Sequence, residues 1–234
     1  MLKFLIIAFT FLTCFSLNAQ NLNIIYDLPS SETPYKEILS INDSTTFYFP
    51  MMDEPTSEPS SFVIKNKNSD IFYVKFKVDY QYFYIRDTAN TMHWQLTEDT
   101  LTLLGHLCYS AKTSFRGRNF IAYYTPDIPL SDGPWKFSGL PGLILYAASE
   151  NKQFVWVAEK IESDASTKNL FAPNELLQKN YLTWLEFQQK YIEYVDIKIK
   201  KLQSTKPEGI TVRMKVEHAE IIYPKYNTGS GIEY

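Results

Sequence analysis

Few residues of this 234-residue chain are of types that do chemistry unaided. His106 and Cys108 stand two apart in a run that reads as a strand, so their side chains share a face. An imidazole beside a thiol could hold a soft metal or act as base and nucleophile, although no third group nearby in sequence completes either set. The alternative is that Cys108 is a small buried hydrophobe. Arg116-Gly117-Arg118 reads as a hairpin tip whose two guanidinium groups, with Lys136 close in sequence, could clamp a carboxylate or phosphate or could be solvated turn charges. The other histidines, His93 and His218, are remote from these groups. There is no His-Glu-x-x-His, Gly-x-Ser-x-Gly, phosphate-binding glycine loop or Cys-x-x-Cys. The expectation is a protein that is not an enzyme and carries no cofactor or metal.

The densest feature is residues 128–145, Ile-Pro-Leu-Ser-Asp-Gly-Pro-Trp-Lys-Phe-Ser-Gly-Leu-Pro-Gly-Leu-Ile-Leu, with three prolines, three glycines and two large aromatic residues. Proline fixes φ and glycine permits positive φ or close backbone approach, so this is a shaped series of tight turns running into an apolar strand. Trp135, Lys136, Phe137, Gly139, Leu140, Pro141 and Gly142, together with Arg116 and Arg118, are the candidate binding residues. A structural corner, plugged by Trp135 and Phe137, is the competing reading.

The elements that must position these groups are strands. Alternating apolar and polar residues over 22–28, 36–41 and 45–49 predict the first three. Residues 50–61, rich in proline, acid and serine, predict a surface loop. Runs at 71–78, 80–86, 92–96, 100–104, 107–113 and 120–125 then predict an antiparallel meander, followed by a hairpin of 143–148 and 154–161. One helix is expected over 173–202, with Leu177, Tyr181, Trp184, Leu185, Tyr191, Ile192, Val195, Ile199 and Leu202 as its apolar stripe. A last strand is expected over 211–222 and a frayed end over 223–234. The fold class is α+β, a mainly antiparallel, curved sheet or partial barrel with one long helix packed on it.

Residues 1–19 carry a positive start, an apolar centre and a small residue before Gln20, the pattern of a secretory signal peptide cut after Ala19. Residues 20–234 then form a single domain with one cysteine, Cys108, and hence no internal disulfide. The expected location is exported, whether periplasmic, associated with the outer membrane or secreted. No stretch of the mature chain is apolar enough to be a transmembrane segment. A formal net charge of −3 gives no reason to expect nucleic acid. Aromatic residues make up 16%, which suits strands with one face buried.

Gly105-His106-Leu107-Cys108-Tyr109-Ser110-Ala111-Lys112, Phe115-Arg116-Gly117-Arg118, Ala122-Tyr123-Tyr124-Thr125, Ile128-Pro129, Gly133-Pro134-Trp135-Lys136-Phe137 and Gly139-Leu140-Pro141-Gly142-Leu143-Ile144, in that order, resemble the exported Bacteroidetes family named GLPGLI. His106 departs from the tyrosine common there, and Tyr123 from the tryptophan often found. The resemblance implies a cell-envelope protein of unsettled role, some relatives being encoded beside TonB-dependent receptors, and it brings no catalytic residues. The partner expected on that basis is an outer-membrane or envelope protein. The sheet-and-helix arrangement is also similar to periplasmic lipoprotein carriers, whose half-barrel holds acyl chains, and by that analogy a lipid or small apolar ligand is the alternative.

Overall fold

The computed structural model describes residues 22–31, 35–51, 58–88, 92–163, 173–205 and 218–222. The expected leader, most of the expected last strand, the chain end after 222 and the middle of the 50–61 loop lie outside them. In chain order the strands are β1 (Leu22–Asp27), β2 (Lys36–Ile41), β3 (Thr45–Pro50), β4 (Phe62–Asn66), β5 (Ile71–Val78), β6 (Gln81–Thr88), β7 (Gln95–Leu103), β8 (His106–Phe115), β9 (Arg118–Thr125), β10 (Leu143–Ser149), β11 (Val155–Ser163) and β12 (Leu182–Thr183). The helices are α1 (Pro173–Leu177) and α2 (Trp184–Thr205).

The twelve strands of the described residues form one curved, unclosed sheet in the order β12-β6-β5-β4-β3-β2-β1-β11-β10-β9-β8-β7. Every pairing is antiparallel except the short β12–β6 contact at one edge. The order is two meanders, β1 to β6 and β7 to β11, fused where β1 pairs with β11. Successive hairpins explain the order within each half.

Two expectations about strands need correction. Phe62–Asn66 forms a strand that the sequence pattern hides, because Phe62, Val63, Ile64 and Lys65 are all buried and no polar face alternates with them. Residues 92–96 and 100–104 are not two strands. Gln95–Leu103 is one, with its register against β8 shifting between Leu96 and Thr100.

The expected single helix over 173–202 is also divided, for a topological reason. Leu176 of α1 packs with Phe47, Phe49, Phe62 and Ile64 on one face of the sheet. Tyr181 then meets Tyr73 and Tyr84 edge-on, with ring centroids 4.9 and 5.9 Å apart. Leu182 and Thr183 pair with Ile85 and Arg86 at the sheet edge. From there α2 runs over the opposite face, burying Phe187, Tyr191, Val195 and Ile199, four residues apart. One continuous apolar stripe therefore serves both faces of a sheet.

The new start is encoded locally. Glu186 accepts from the Thr183 amide at 2.7 Å and the Glu186 amide reaches Thr183 Oγ1 at 3.3 Å, a capping box over Thr183-Trp184-Leu185-Glu186. Thr183→Ala lowers the unfolding free energy by about 1 kcal/mol in urea denaturation. An unchanged midpoint would mean that α2 is held by packing alone.

Candidate functional site

The turn-rich loop of residues 128–145 folds inward onto the helix-side face. Its backbone closes on itself through Leu143 N to Ile128 O at 3.0 Å, Ile144 N to Asp132 O at 2.9 Å and Phe137 N to Pro134 O at 3.0 Å. Trp135 has φ +50°, a left-handed conformation unfavourable for a bulky residue, and Gly139 has φ +93°. At Gly142 the demand is space, since a Cβ there would lie 2.2 Å from Thr125 O. Gly139 and Pro141 stay exposed, while Lys136, Phe137, Leu140 and Gly142 are buried.

Phe137 sits at the centre of an aromatic cluster. Its ring lies 5.2 Å from Phe120, 5.1 Å from Trp135 and 5.3 Å from Trp156, and Trp135 stacks on Trp156 at 5.8 Å with 9° between planes. Edge-to-face contacts of this kind add about 0.5–1.5 kcal/mol each beyond area burial. Trp94 pins the loop from outside by donating to Ser138 O at 2.8 Å.

Two buried ionic groups hold the same loop. Asp132 accepts from Lys65 Nζ at 2.6 Å, from Thr46 Oγ1 at 2.5 Å and from the Gly133 amide at 2.8 Å. Lys65 also donates to the carbonyls of Gly133 and Phe137, at 2.7 and 2.8 Å. Its burial lowers the Lys65 ammonium below its ordinary pKa, and Asp132 offsets part of that.

Four residues further on, Lys136 is 1% exposed and donates to Asp87 at 2.9 Å and to both oxygens of Glu220 at 2.8 Å. Arg116 reaches the same two carboxylates, at 2.6 Å to Asp87 and 2.5 Å to Glu220, while its guanidinium lies 3.3 Å from the ring centre of Trp184. Two cations and two anions thus form a closed quartet beneath the first residue of α2. Burial opposes ionisation of Asp87, but Lys136 and Arg116 outweigh it and hold its carboxyl below the usual value.

The structure places the predicted residues in three groups. Arg116 and Lys136 come together, and the carboxylates they clamp belong to the chain itself. Arg118 points elsewhere, to His218 O at 3.0 Å and Gln153 Oε1 at 3.1 Å. The side chains of His106 and Cys108 share a face but do not bond to each other. His106 Nδ1 lies 3.0 Å from Asp127, whereas the Cys108 thiol points to the His106 carbonyl at 3.6 Å and burial raises its pKa. Among the described residues no cluster of three or more His, Cys, Asp or Glu side chains could hold a metal, and no helix is long and apolar enough to cross a membrane.

Asp87, Glu220, Lys65 and Thr46 escaped sequence reasoning because they lie from 49 to 86 residues from their loop partners. The one local signal was a lysine in β4 and an aspartate ending β6 at positions that the strand pattern turns inward. The outermost hairpin, β7–β8, was legible as strands but not as a surface. Leu96, Leu107 and Tyr109 are 65%, 47% and 41% exposed, and nearly all of β7, an edge strand, is open to solvent.

A family model described as a protein of unknown function, Porph_ging, matches residues 110–146, which run from the middle of β8 through the loop into β10. No curated protein matches the chain. Among solved structures the chain is similar to PNGF-II in a C2 crystal form, with TM-score 0.54 and 18% identity over 70% of this chain and 31% of that one. It is also similar to PNGF-II in a P21 form, with TM-score 0.57 and 17% identity over 73% of this chain and 33% of that one. This likeness is one of fold, and the chain spans about a third of the length of those structures.

Lys136→Met leaves two buried carboxylates facing one guanidinium, and it lowers the unfolding free energy by about 3–5 kcal/mol in denaturant titration. A loss under about 1 kcal/mol would show that the quartet is solvated. His218 makes one contribution to the pH dependence, and Glu37, whose carboxyl burial pushes up to about 8, makes another of opposite slope. Burial, then Arg118, pushes the His218 pKa down to about 4, with Nε2 3.1 Å from Tyr191 Oη. The unfolded chain takes up that proton near pH 6.5, so the stability that His218 contributes falls as pH drops from about 6.5 to about 4. His218→Gln removes that term, so stability gains relative to wild type as pH drops through the interval in unfolding experiments, and an unaltered slope would remove His218 as a contributor.

Proposed function

We propose that the chain is an exported cell-envelope accessory protein that binds a partner protein through the β7–β8 hairpin and has no catalytic role. The setting is the outer-membrane, TonB-dependent transport that the family resemblance implies. One observation carries this reading: the hairpin is an edge of a twelve-stranded sheet that displays Leu96, Leu107 and Tyr109 and an open β7 edge. Exposed edges of this kind are normally shortened, charged or covered, because their free amides and carbonyls recruit further strands. Here Thr100-Leu101-Thr102-Leu103 is uncharged, and only Glu98 and Asp99 at the register shift blunt the strand. An extended segment of a partner added along β7 would gain main-chain hydrogen bonds and apolar contacts at Leu107 and Tyr109.

The loop of residues 128–145 buries most of its side chains and presents chiefly Pro129, Ser131, Gly139 and Pro141 to solvent. The alternative of a lipid or apolar ligand in a half-barrel groove has less room. The helix-side face, where such a groove would lie, is filled by Phe187, Tyr191, Val195 and Ile199 of α2 and by Phe137 of the loop.

Cross-linked pull-down from the native envelope tests the reading. The wild-type chain recovers an envelope protein, and a Leu107→Glu, Tyr109→Glu double variant recovers it at least about tenfold less with the same unfolding midpoint. Full recovery by that variant would place the contact elsewhere.

A further inference from the structure

The face of β7–β10 opposite the aromatic cluster holds a groove of about 610 Å³. Strand register explains it. Gln95, Lys112, Ile121 and Ala148 are cross-strand neighbours in one row over four strands. The next row on one side is Ser114 and Asn119, with Glu150 beyond, and on the other it is Ser110, Tyr123 and Tyr146. Ala148 is the small residue, flanked along β10 by Tyr146 and followed by the exposed Glu150 and Lys152 of the turn, so the row dips between taller walls. Tyr146 is braced edge-on by Tyr123 at 5.7 Å.

The charges in this groove are unbalanced in a specific way. Glu150 accepts from Asn119 Nδ2 at 3.0 Å, and Asn119 is oriented by Ser114 Oγ, which donates to its Oδ1 at 2.5 Å. Neither lysine bonds to that carboxylate. Among the described residues no hydrogen bond or ion pair engages the side-chain nitrogens of Lys112 or Lys152, both of which line the groove with His93. The other lysines near this half of the molecule differ: Lys136 is buried in the quartet and Lys160 pairs with Glu162. Two ammonium groups with no such partner among the described residues, beside a short apolar floor of Ile121 and Ala148 and one tyrosine wall, make a receptor for a negative group carried on a compact ring.

We infer that this groove binds a small organic anion, a carboxylate or phosphate whose ring body lies on Ile121 and Ala148 against Tyr146 while its charge meets Lys112 and Lys152. The site is separate from the partner surface, since Leu107 and Tyr109 project from the other face of β8.

Amide NMR titration of the full chain with benzoate, phenyl phosphate and benzyl alcohol tests it. Either anion shifts the resonances of Lys112, Ile121 and Ala148 saturably, and the neutral alcohol binds at least about tenfold more weakly. Preference between the two anions identifies the acid group. A Lys112→Glu, Lys152→Glu variant, altered only at exposed positions, keeps its fold by far-ultraviolet circular dichroism and loses at least about tenfold in affinity for the preferred anion. Equal binding of all three probes, no saturable shift at these residues, or unchanged affinity in the double variant would each overturn the inference. The Leu107→Glu, Tyr109→Glu variant keeps its anion affinity, which separates this result from the partner-binding reading.

Discussion

The buried quartet of Lys136, Asp87, Glu220 and Arg116 is the constraint on which the arrangement of the other parts depends. A charge taken out of water is expensive unless its partners are in place, and here they come from four separate parts of the chain: the loop, the end of β6, the short segment 218–222 and the β8–β9 turn. Removing any one strands the others. The pair Lys65 and Asp132 repeats the device a few residues away, joining β4 to the same loop. Replacing buried ion pairs by well-packed apolar residues of equal volume is often neutral or stabilising, so such ties are not needed for stability alone. Their value lies in register, because only one placement of the loop satisfies both groups.

That placement decides what each surface can do. With the loop fixed, Phe137 and Trp135 fill the space between β9, β11 and the loop, and α2 covers the β5–β6 end of the same face through Phe187. Among the described residues, two surfaces left open are the β7–β8 edge and the back of β8–β10. Among the described residues, one is apolar with a β7 edge that pairs with no further strand, and the other is polar with the ammonium groups of Lys112 and Lys152 unengaged. The two surfaces suit different partners, and the residues between them, such as Ala111 and Ala122, are small and buried.

Much of the sheet was legible because its strands alternate. In β5, Phe72, Val74 and Val78 are buried toward the helix while Tyr73 and Lys77 turn away, as a half-buried strand requires. The pattern failed where both faces are covered, at Phe62–Asn66, since a strand buried on two sides has no polar phase to read. It failed again at 173–202, where apolar spacing was right but could not reveal that α1 and α2 serve opposite faces. Thr183 and Glu186 carried the missing information as a capping box. The loop was recognisable from its prolines and glycines, yet its role was not. Lys136 looked like a contact residue because nothing near it in sequence is an acid positioned to bury it, and Asp87 and Glu220 become its partners only through long-range folding.

Treating the loop as a keystone and not as a mobile contact surface makes a direct demand on its amides. Ile144 N bonds to Asp132 O and Phe137 N to Pro134 O inside the ionic frame, so these groups have no local route to water. Native-state hydrogen exchange measures that. If the account holds, the amides of Phe137 and Ile144 exchange only through global unfolding, at the rate of core residues such as Ala122 and Leu39. Exchange of the loop amides by local opening, with the strands still protected, would contradict it.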